Sequence, residues 1–186
     1  ASTAASHDLP ARDPGELPQN PGSRRFRPEQ KIGMGGVQIG NGFQVTPDEQ
    51  AYDTMEAAWA TGVRYFDTSP YYGVGISERR FGNFLDGKDP DDYVVSTKVG
   101  RILKPDAGAY GIAIWKGRLN FTYDYDNPAE GVRRSVEDSL QRLGVPKVDI
   151  VFIHDLSPDN PDIGDEWQRY FDIAAEGAMP ELTKMR

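Results

Sequence analysis

The chain has 186 residues, with 21 Lys and Arg against 29 Asp and Glu, for a formal net charge of −8. Such a surface would repel nucleic-acid and anionic-lipid phosphates, which argues against both as partners, and no apolar run approaches the ~20 residues needed to cross a bilayer. Zero cysteine excludes disulfides, thiolate metal sites and a cysteine nucleophile, while 38 % hydrophobic and 11 % aromatic residues are enough to build a globular core.

Residues 1–29 hold five of the fourteen prolines but only three large apolar side chains, Leu9, Leu17 and Phe26. They read as a flexible, Pro-rich tail, so the folding unit, residues 30–186, starts near Gln30. The chain begins Ala1-Ser-Thr-Ala-Ala-Ser. As the product of signal-peptide cleavage that start places the protein in the periplasm; as simple Met removal it leaves the protein cytoplasmic.

From Gln30 onward two textures alternate. Lys31–Met34 is a short strand candidate, followed by the glycine turn Gly35-Gly36. Thr46-Pro47-Asp48-Glu49 opens a helix, with Thr as cap, Pro at the first position and Glu completing a capping box. Tyr52, Met55 and Trp59 share its inner face, and Gly62 stops it. Val63–Asp67 is a second strand, and Ser77–Asp86 a second helix with Phe81 and Leu85 inward. Tyr93–Lys98 is a third strand. Val99–Asn127 is then a long loop whose aromatics, Tyr110, Trp115, Phe121, Tyr123 and Tyr125, predict that it packs against something. Asn127-Pro128-Ala129-Glu130 caps a third helix in the same style as the first; its buried stripe is Val132, Val136, Leu140 and Leu143, and Gly144 ends it. Val148–His154 is a fourth strand, apolar enough to be buried on both faces. A last helix follows Asp165 and restarts after Pro180. This β-α alternation predicts parallel strands with right-handed crossovers, in a doubly wound sheet or a barrel.

The chemistry gathers at strand ends. Asp67 closes the second strand, Lys98 the third and His154 the fourth, with Tyr72 in the loop after Asp67. In a parallel α/β fold these ends face one side, where ligands bind. Singly, each residue has a plain structural reading: a turn cap, a solvated lysine, a hydrogen-bonded imidazole, an aromatic. Together they suit proton management at a carbonyl. A phenol with its ordinary pKa of ~10 is a poor acid near neutrality, and an adjacent ammonium favours the phenolate. Asp67 would hold the lysine in place, and His154 would donate a hydrogen bond to the carbonyl oxygen. Gly33-Met34-Gly35-Gly36-Val37-Gln38 lacks the third glycine of a dinucleotide fingerprint and the Lys-Ser/Thr of a P-loop, although these glycines would still let the backbone approach a flat cofactor ring. A second enzyme reading makes Lys98 a Schiff-base nucleophile, as in barrel aldolases. A third keeps the same fold as a non-catalytic subunit that senses a ligand or binds a partner.

These residues resemble the aldo-keto reductase family. The likeness lies in Lys-Ile-Gly-Met-Gly-Gly from Lys31, Val-Arg-Tyr-Phe-Asp-Thr-Ser-Pro-Tyr-Tyr-Gly from Val63, Val-Val-Ser-Thr-Lys-Val-Gly from Val94 and Val-Asp-Ile-Val-Phe-Ile-His-Asp from Val148. Arg133–Gly144 is similar to the family's third barrel helix. The resemblance implies a (β/α)8 TIM barrel of which this chain carries roughly the first four βα units, with the remaining half expected in addition. It implies NAD(H) or NADP(H) as cofactor, no metal, and a catalytic tetrad at Asp67, Tyr72, Lys98 and His154, with Tyr72 rather than Tyr71 matching the motif. Cofactor contacts are implied near Gly36 and Val37, and at Asp67. Gly-Ile-Ser-Glu-Arg-Arg-Phe-Gly from Gly75 and Phe-Thr-Tyr-Asp-Tyr-Asp from Phe121 resemble the D-threo-aldose (L-fucose or D-galactose) 1-dehydrogenase and pyridoxal 4-dehydrogenase group. That likeness implies a small sugar or aldehyde substrate, with Tyr72 as base when a ring hydroxyl is oxidised.

Overall fold

Four short parallel strands form the frame in a computed structural model that describes residues 31–186. The predicted tail, and the two readings of compartment that rest on Ala1, lie outside the described residues. The strands are β1 (Met34–Gly35), β2 (Tyr65–Asp67), β3 (Val94–Val99) and β8 (Ile150–Ile153). They pair in chain order, β1 with β2, β2 with β3 and β3 with β8. Each step crosses over through α1 (Asp48–Ala60), α2 (Ile76–Leu85) or α3 (Ala129–Leu143), and α4 (Trp167–Glu176) and α5 (Ala178–Met185) follow β8. The predicted α/β alternation is therefore present, as the arc of a parallel barrel. No helix among the described residues is long and apolar enough to cross a membrane.

The two faces of the sheet are unlike. Phe66, Val95, Val99, Val151 and Ile153 point toward the helices. Phe66 and Val95 pack with Met55, Phe81, Phe84 and Leu143 in one cluster; Val99, Val151 and Ile153 pack with Val132, Val136 and Ala174 in another. Glu78 on α2, fully buried, joins this side by accepting from Thr97 Oγ1 at 2.7 Å and Arg142 Nε at 2.5 Å. Gly82 lets α2 approach the end of α3, because a Cβ there would stand 2.5 Å from the Leu143 carbonyl oxygen. The other face holds Tyr65, Asp67, Ser96 and Lys98, joined by hydrogen bonds, together with Ile150 and Phe152. These last two are 39 % and 46 % exposed. The expectation that the fourth strand is buried on both faces is thus corrected: its apolar run supplies one covered face and one open one.

Local details correct other expectations. The strands are shorter than their apolar runs or shifted within them. Thr46 does not cap α1: its hydroxyl donates to the Gln38 carbonyl, and Pro47 occupies the cap position without a side-chain bond. Asn127 likewise leaves α3 without a side-chain cap. Tyr52 is nearly half exposed, although its ring edge meets Phe84. The break in the last helix falls at Gly177, not Pro180, because proline in the first turn of α5 lacks only an N–H that the helix would leave unpaired.

The predicted long loop after β3 is not structureless. It folds into two antiparallel hairpins, β4 (Arg101–Pro105) with β7 (Phe121–Tyr125), and β5 (Tyr110–Ile112) with β6 (Trp115–Arg118). Trp115 and Leu119, both buried, anchor a separate cluster that also takes in Val37, Tyr71, Tyr72 and Tyr123. Trp115, Phe121 and Tyr123 do pack as expected and Tyr125 lies against Tyr170, but Tyr110 is 75 % exposed, which corrects the expectation for that residue. What the Trp115 cluster packs against is the loop after β2, through Tyr71, Tyr72 and Val74.

Candidate active site

Asp67 is the last residue of β2 and Lys98 the fifth of six in β3, so the pleat turns both side chains to the open face. Lys98 Nζ donates to Asp67 Oδ2 at 2.7 Å and to the Thr68 carbonyl at 2.8 Å. It also lies 4.6 Å from the centre of the Tyr72 ring. Asp67 Oδ1 accepts from Ser96 Oγ at 2.5 Å. The carboxylate therefore fixes the ammonium and is itself fixed by a hydroxyl two residues upstream on the lysine's own strand. Both side chains are largely shielded, 12 % exposed for Lys98 and 27 % for Asp67, which strengthens the pair relative to one in open water.

His154 follows β8 directly and is held by its backbone N–H to the Val99 carbonyl. Its Nδ1 lies 3.2 Å from Ser69 Oγ, its Nε2 3.4 Å from Asp155 Oδ2, and its ring 5.8 Å from that of Tyr72. Burial, then the charges of Arg101 and Lys98, push its pKa from 6.5 down to about 2. The imidazole is therefore neutral, a donor through one nitrogen and an acceptor through the other. Stability follows the sign of that shift. The folded chain refuses a proton that the unfolded chain takes up below pH 6.5, so stability is full above that pH and falls with acidification. Titrating urea midpoints from pH 7 to 5 should show a loss approaching about 1.4 kcal/mol per pH unit. His154→Gln should flatten that slope; an unchanged slope in the variant would exclude His154 as its source.

All four predicted tetrad residues thus meet at one end of the sheet. Tyr71 and Tyr72 separate there: Tyr72 faces Lys98, whereas Tyr71 lies under the Arg101 guanidinium at 4.2 Å and edges Tyr123 and Trp115. Gly36 and Val37 are placed differently from each other. The Gly36 N–H donates to the Asp67 carbonyl at 2.8 Å, and a Cβ there would collide with Ser77 and stand 2.7 Å from Phe81. Close packing on α2 accounts for that glycine by itself. Val37 is half-buried in the Trp115 cluster. Gly35 pairs in register with Asp67 on the open face, and a Cβ there would meet nothing within 4 Å.

Three polar side chains that the sequence reading did not single out belong to the same cluster: Ser69, Ser96 and Arg101. Ser96 could have been found by period-two spacing from Lys98, and Ser69 by its place two residues after Asp67. Nothing in the sequence marks Arg101 as buried.

Comparison with known proteins decides the family. The aldo/keto reductase family model matches residues 31–186. The chain belongs to the aldo-keto reductase family. It is 36 % identical over 160 residues to a D-threo-aldose 1-dehydrogenase from a Pseudomonas species, covering 83 % of this chain and 46 % of that protein. It is 35 % identical over 135 residues to a pyridoxal 4-dehydrogenase from Microbacterium luteolum, covering 67 % of this chain and 39 % of the relative. A solved structure of a Pseudomonas aeruginosa protein assigned to the aldo-keto reductases superposes with a TM-score of 0.56 at 28 % identity, over 82 % of this chain and 48 % of that one. This aldo-keto reductase chain therefore spans less than half the length of the relatives it matches. The barrel family agrees with the parallel arc described above.

Proposed function

We propose that residues 30–186 supply the first four βα units of an aldo-keto reductase barrel and carry its hydride-transfer site, for an NAD(P)-dependent oxidoreductase acting on an aldose or a related aldehyde or alcohol. The observation that carries this reading is the Lys98 ammonium, held by Asp67 at 2.7 Å and set against the Tyr72 ring at 4.6 Å. The names of the two dehydrogenase relatives support the substrate class.

A nicotinamide cofactor, when bound, exchanges a hydride with the substrate carbon. The residues present fit such a group: the open floor at Gly35 admits a flat ring beside Asp67. In the reducing direction the Tyr72 hydroxyl gives its proton to the carbonyl oxygen; in the oxidising direction the phenolate takes the hydroxyl proton. Lys98 stabilises negative charge on the phenol oxygen, and Asp67 keeps the ammonium oriented rather than wandering into solvent. The neutral His154 holds the reacting oxygen by donating a hydrogen bond, without acting as a competing acid. Tyr71, Trp115, Tyr123 and Tyr125 form an aromatic wall beside these groups. The Schiff-base reading is less well supported, because a lysine nucleophile must be a free amine and Lys98 is committed as an ammonium to a carboxylate.

The test is a coupled assay of the chain with NAD or NADP against L-fucose, D-galactose and pyridoxal, following the nicotinamide. Deuterium at the oxidised carbon of the substrate should appear on the reduced cofactor. Borohydride should trap no substrate adduct. A trapped Lys98 adduct would transfer the site to the aldolase reading. Cofactor or sugar binding without turnover in every pairing would leave the non-catalytic one.

A further inference from the structure

Arg101 opens β4, three residues after Lys98. Its side chain is only 2 % exposed, and its Nε and Nη1 are buried with no hydrogen-bond partner. Burying a guanidinium is costly unless its charge is balanced. Here Nη2 donates to Tyr125 Oη at 2.7 Å and to Asp155 Oδ2 at 3.1 Å, and the guanidinium lies over the rings of Tyr71 at 4.2 Å and Tyr125 at 4.7 Å.

The acceptor, Asp155, is equally constrained. It holds a left-handed φ of 54°, which is strained for a residue with a Cβ. Asn160 Nδ2 donates to its carbonyl at 3.0 Å and to Tyr125 Oη at 2.8 Å. The strain is thus maintained by side chains from the turn after β8 and from β7. Its result is to place one carboxylate between two cationic candidates: Arg101 on one side and His154 Nε2, 3.4 Å away, on the other.

We propose that Arg101, acting through Asp155, is a positioning residue that keeps His154 a neutral imidazole with its proton on Nε2. A carboxylate alone at that distance would favour an imidazolium. With Arg101 taking the carboxylate's charge, Asp155 favours the tautomer with its proton on Nε2 without charging the ring, and at 3.4 Å it makes no hydrogen bond that would withdraw that N–H from the reacting oxygen. At the other nitrogen the Ser69 hydroxyl, which accepts the Tyr71 N–H at 3.1 Å, is free to donate to Nδ1. The charged and titratable groups facing His154 are Arg101, Lys98, Asp155, Tyr71 and Tyr72. Only Asp155 among them favours protonation as it stands, and Arg101 is paired with it. The value of a neutral donor to the reaction rests on the function proposed above; the protonation state does not, and can be read without turnover.

The test is imidazole nitrogen NMR of the uniformly labelled chain, with the His154 signals assigned by their loss in His154→Gln. In the parent, His154 should be neutral at pH 5 with the proton on Nε2. In Arg101→Met, at the lowest pH where both chains remain folded, the imidazolium-to-neutral ratio should rise at least tenfold. Adding Asp155→Asn should reverse the rise, and Arg101→Lys, which keeps the charge, should show little of it. Arg101→Gln is read instead if the Met variant fails to fold. An imidazolium in the parent at pH 5, a ratio unchanged in the neutral variant, or an equal rise in Arg101→Lys overturns the proposal. If the NMR shift occurs in a chain with no turnover, the functional reading fails and this inference stands. If the shift is missing in an active chain, the reverse holds. In an active chain the acid limb of kcat/KM should move with the NMR midpoint.

Discussion

Replacing Tyr72 with Phe should lower turnover by about 10²- to 10⁴-fold, the usual contribution of a positioned general acid or base, while cofactor affinity stays within about twofold. The substitution removes one oxygen and leaves the ring that packs against Trp115 and His154. Fold and pocket shape should survive, and cofactor fluorescence titration beside steady-state kinetics separates chemistry from binding. Tyr71→Phe is the control. That ring sits under Arg101 and beside Tyr123, so losing its hydroxyl should leave most of the turnover. Comparable activity in Tyr72→Phe, or an equal loss in Tyr71→Phe, would remove Tyr72 from the proton-transfer role.

The second large effect concerns folding. Arg142→Met should destabilise the chain by about 3–5 kcal/mol, the range for breaking a buried ion pair from one side. Glu78 is fully buried on α2, and its two oxygens accept from Thr97 on β3 and Arg142 on α3. Without Arg142, the buried carboxylate keeps a single hydrogen bond, from the Thr97 hydroxyl, and only the unbonded charge of neighbouring Arg79 to balance it. It must then stay ionised without a direct ion pair or take up a proton. The double variant Arg142→Met with Glu78→Gln should recover much of the loss, because the uncompensated charge goes with it. Urea unfolding of the two variants makes the comparison. A loss below about 1 kcal/mol in the single variant would mean that water reaches Glu78 and the pair is an ordinary surface one.

The site was more legible in the sequence than the scaffold around it. Asp67, Lys98 and His154 each end a short apolar run. Strand ends in a parallel fold converge whatever the detailed boundaries, so shifts in β1 and β2 did not matter. Helix ends were visible where glycine adopts a left-handed conformation: Gly144 caps α3 with φ 66°. Side-chain caps were not visible, since Thr46 and Asn127 have the right identity for a cap but other surroundings. The hairpins were hidden for a different reason. Gly111 and Gly117, both with positive φ, interrupt short strands whose partners lie close in the chain, and the run reads as broken rather than alternating. Arg101 was unreadable because a charged residue is assigned to the surface by default. Only the stacked tyrosines and Asp155, brought in from three separate segments, make its burial possible.

The open face of the sheet bears on how hard the charges can act. Ile150 and Phe152 are wetted apolar groups, and the Phe152 ring lies 5.9 Å from the Lys98 ammonium. Anything that covers them, whether a flat ligand or further polypeptide, drives water from the neighbourhood of Lys98 and lowers the local dielectric constant. Between water and a partly shielded site, the interaction of two unit charges about 4 Å apart grows from about 1 to about 4 kcal/mol. Occupancy of this face and the strength of the field on the Tyr72 oxygen are therefore coupled. The same apolar contact that would favour binding also strengthens the pull of Lys98 on the Tyr72 oxygen, the group to which the proposed function assigns the proton.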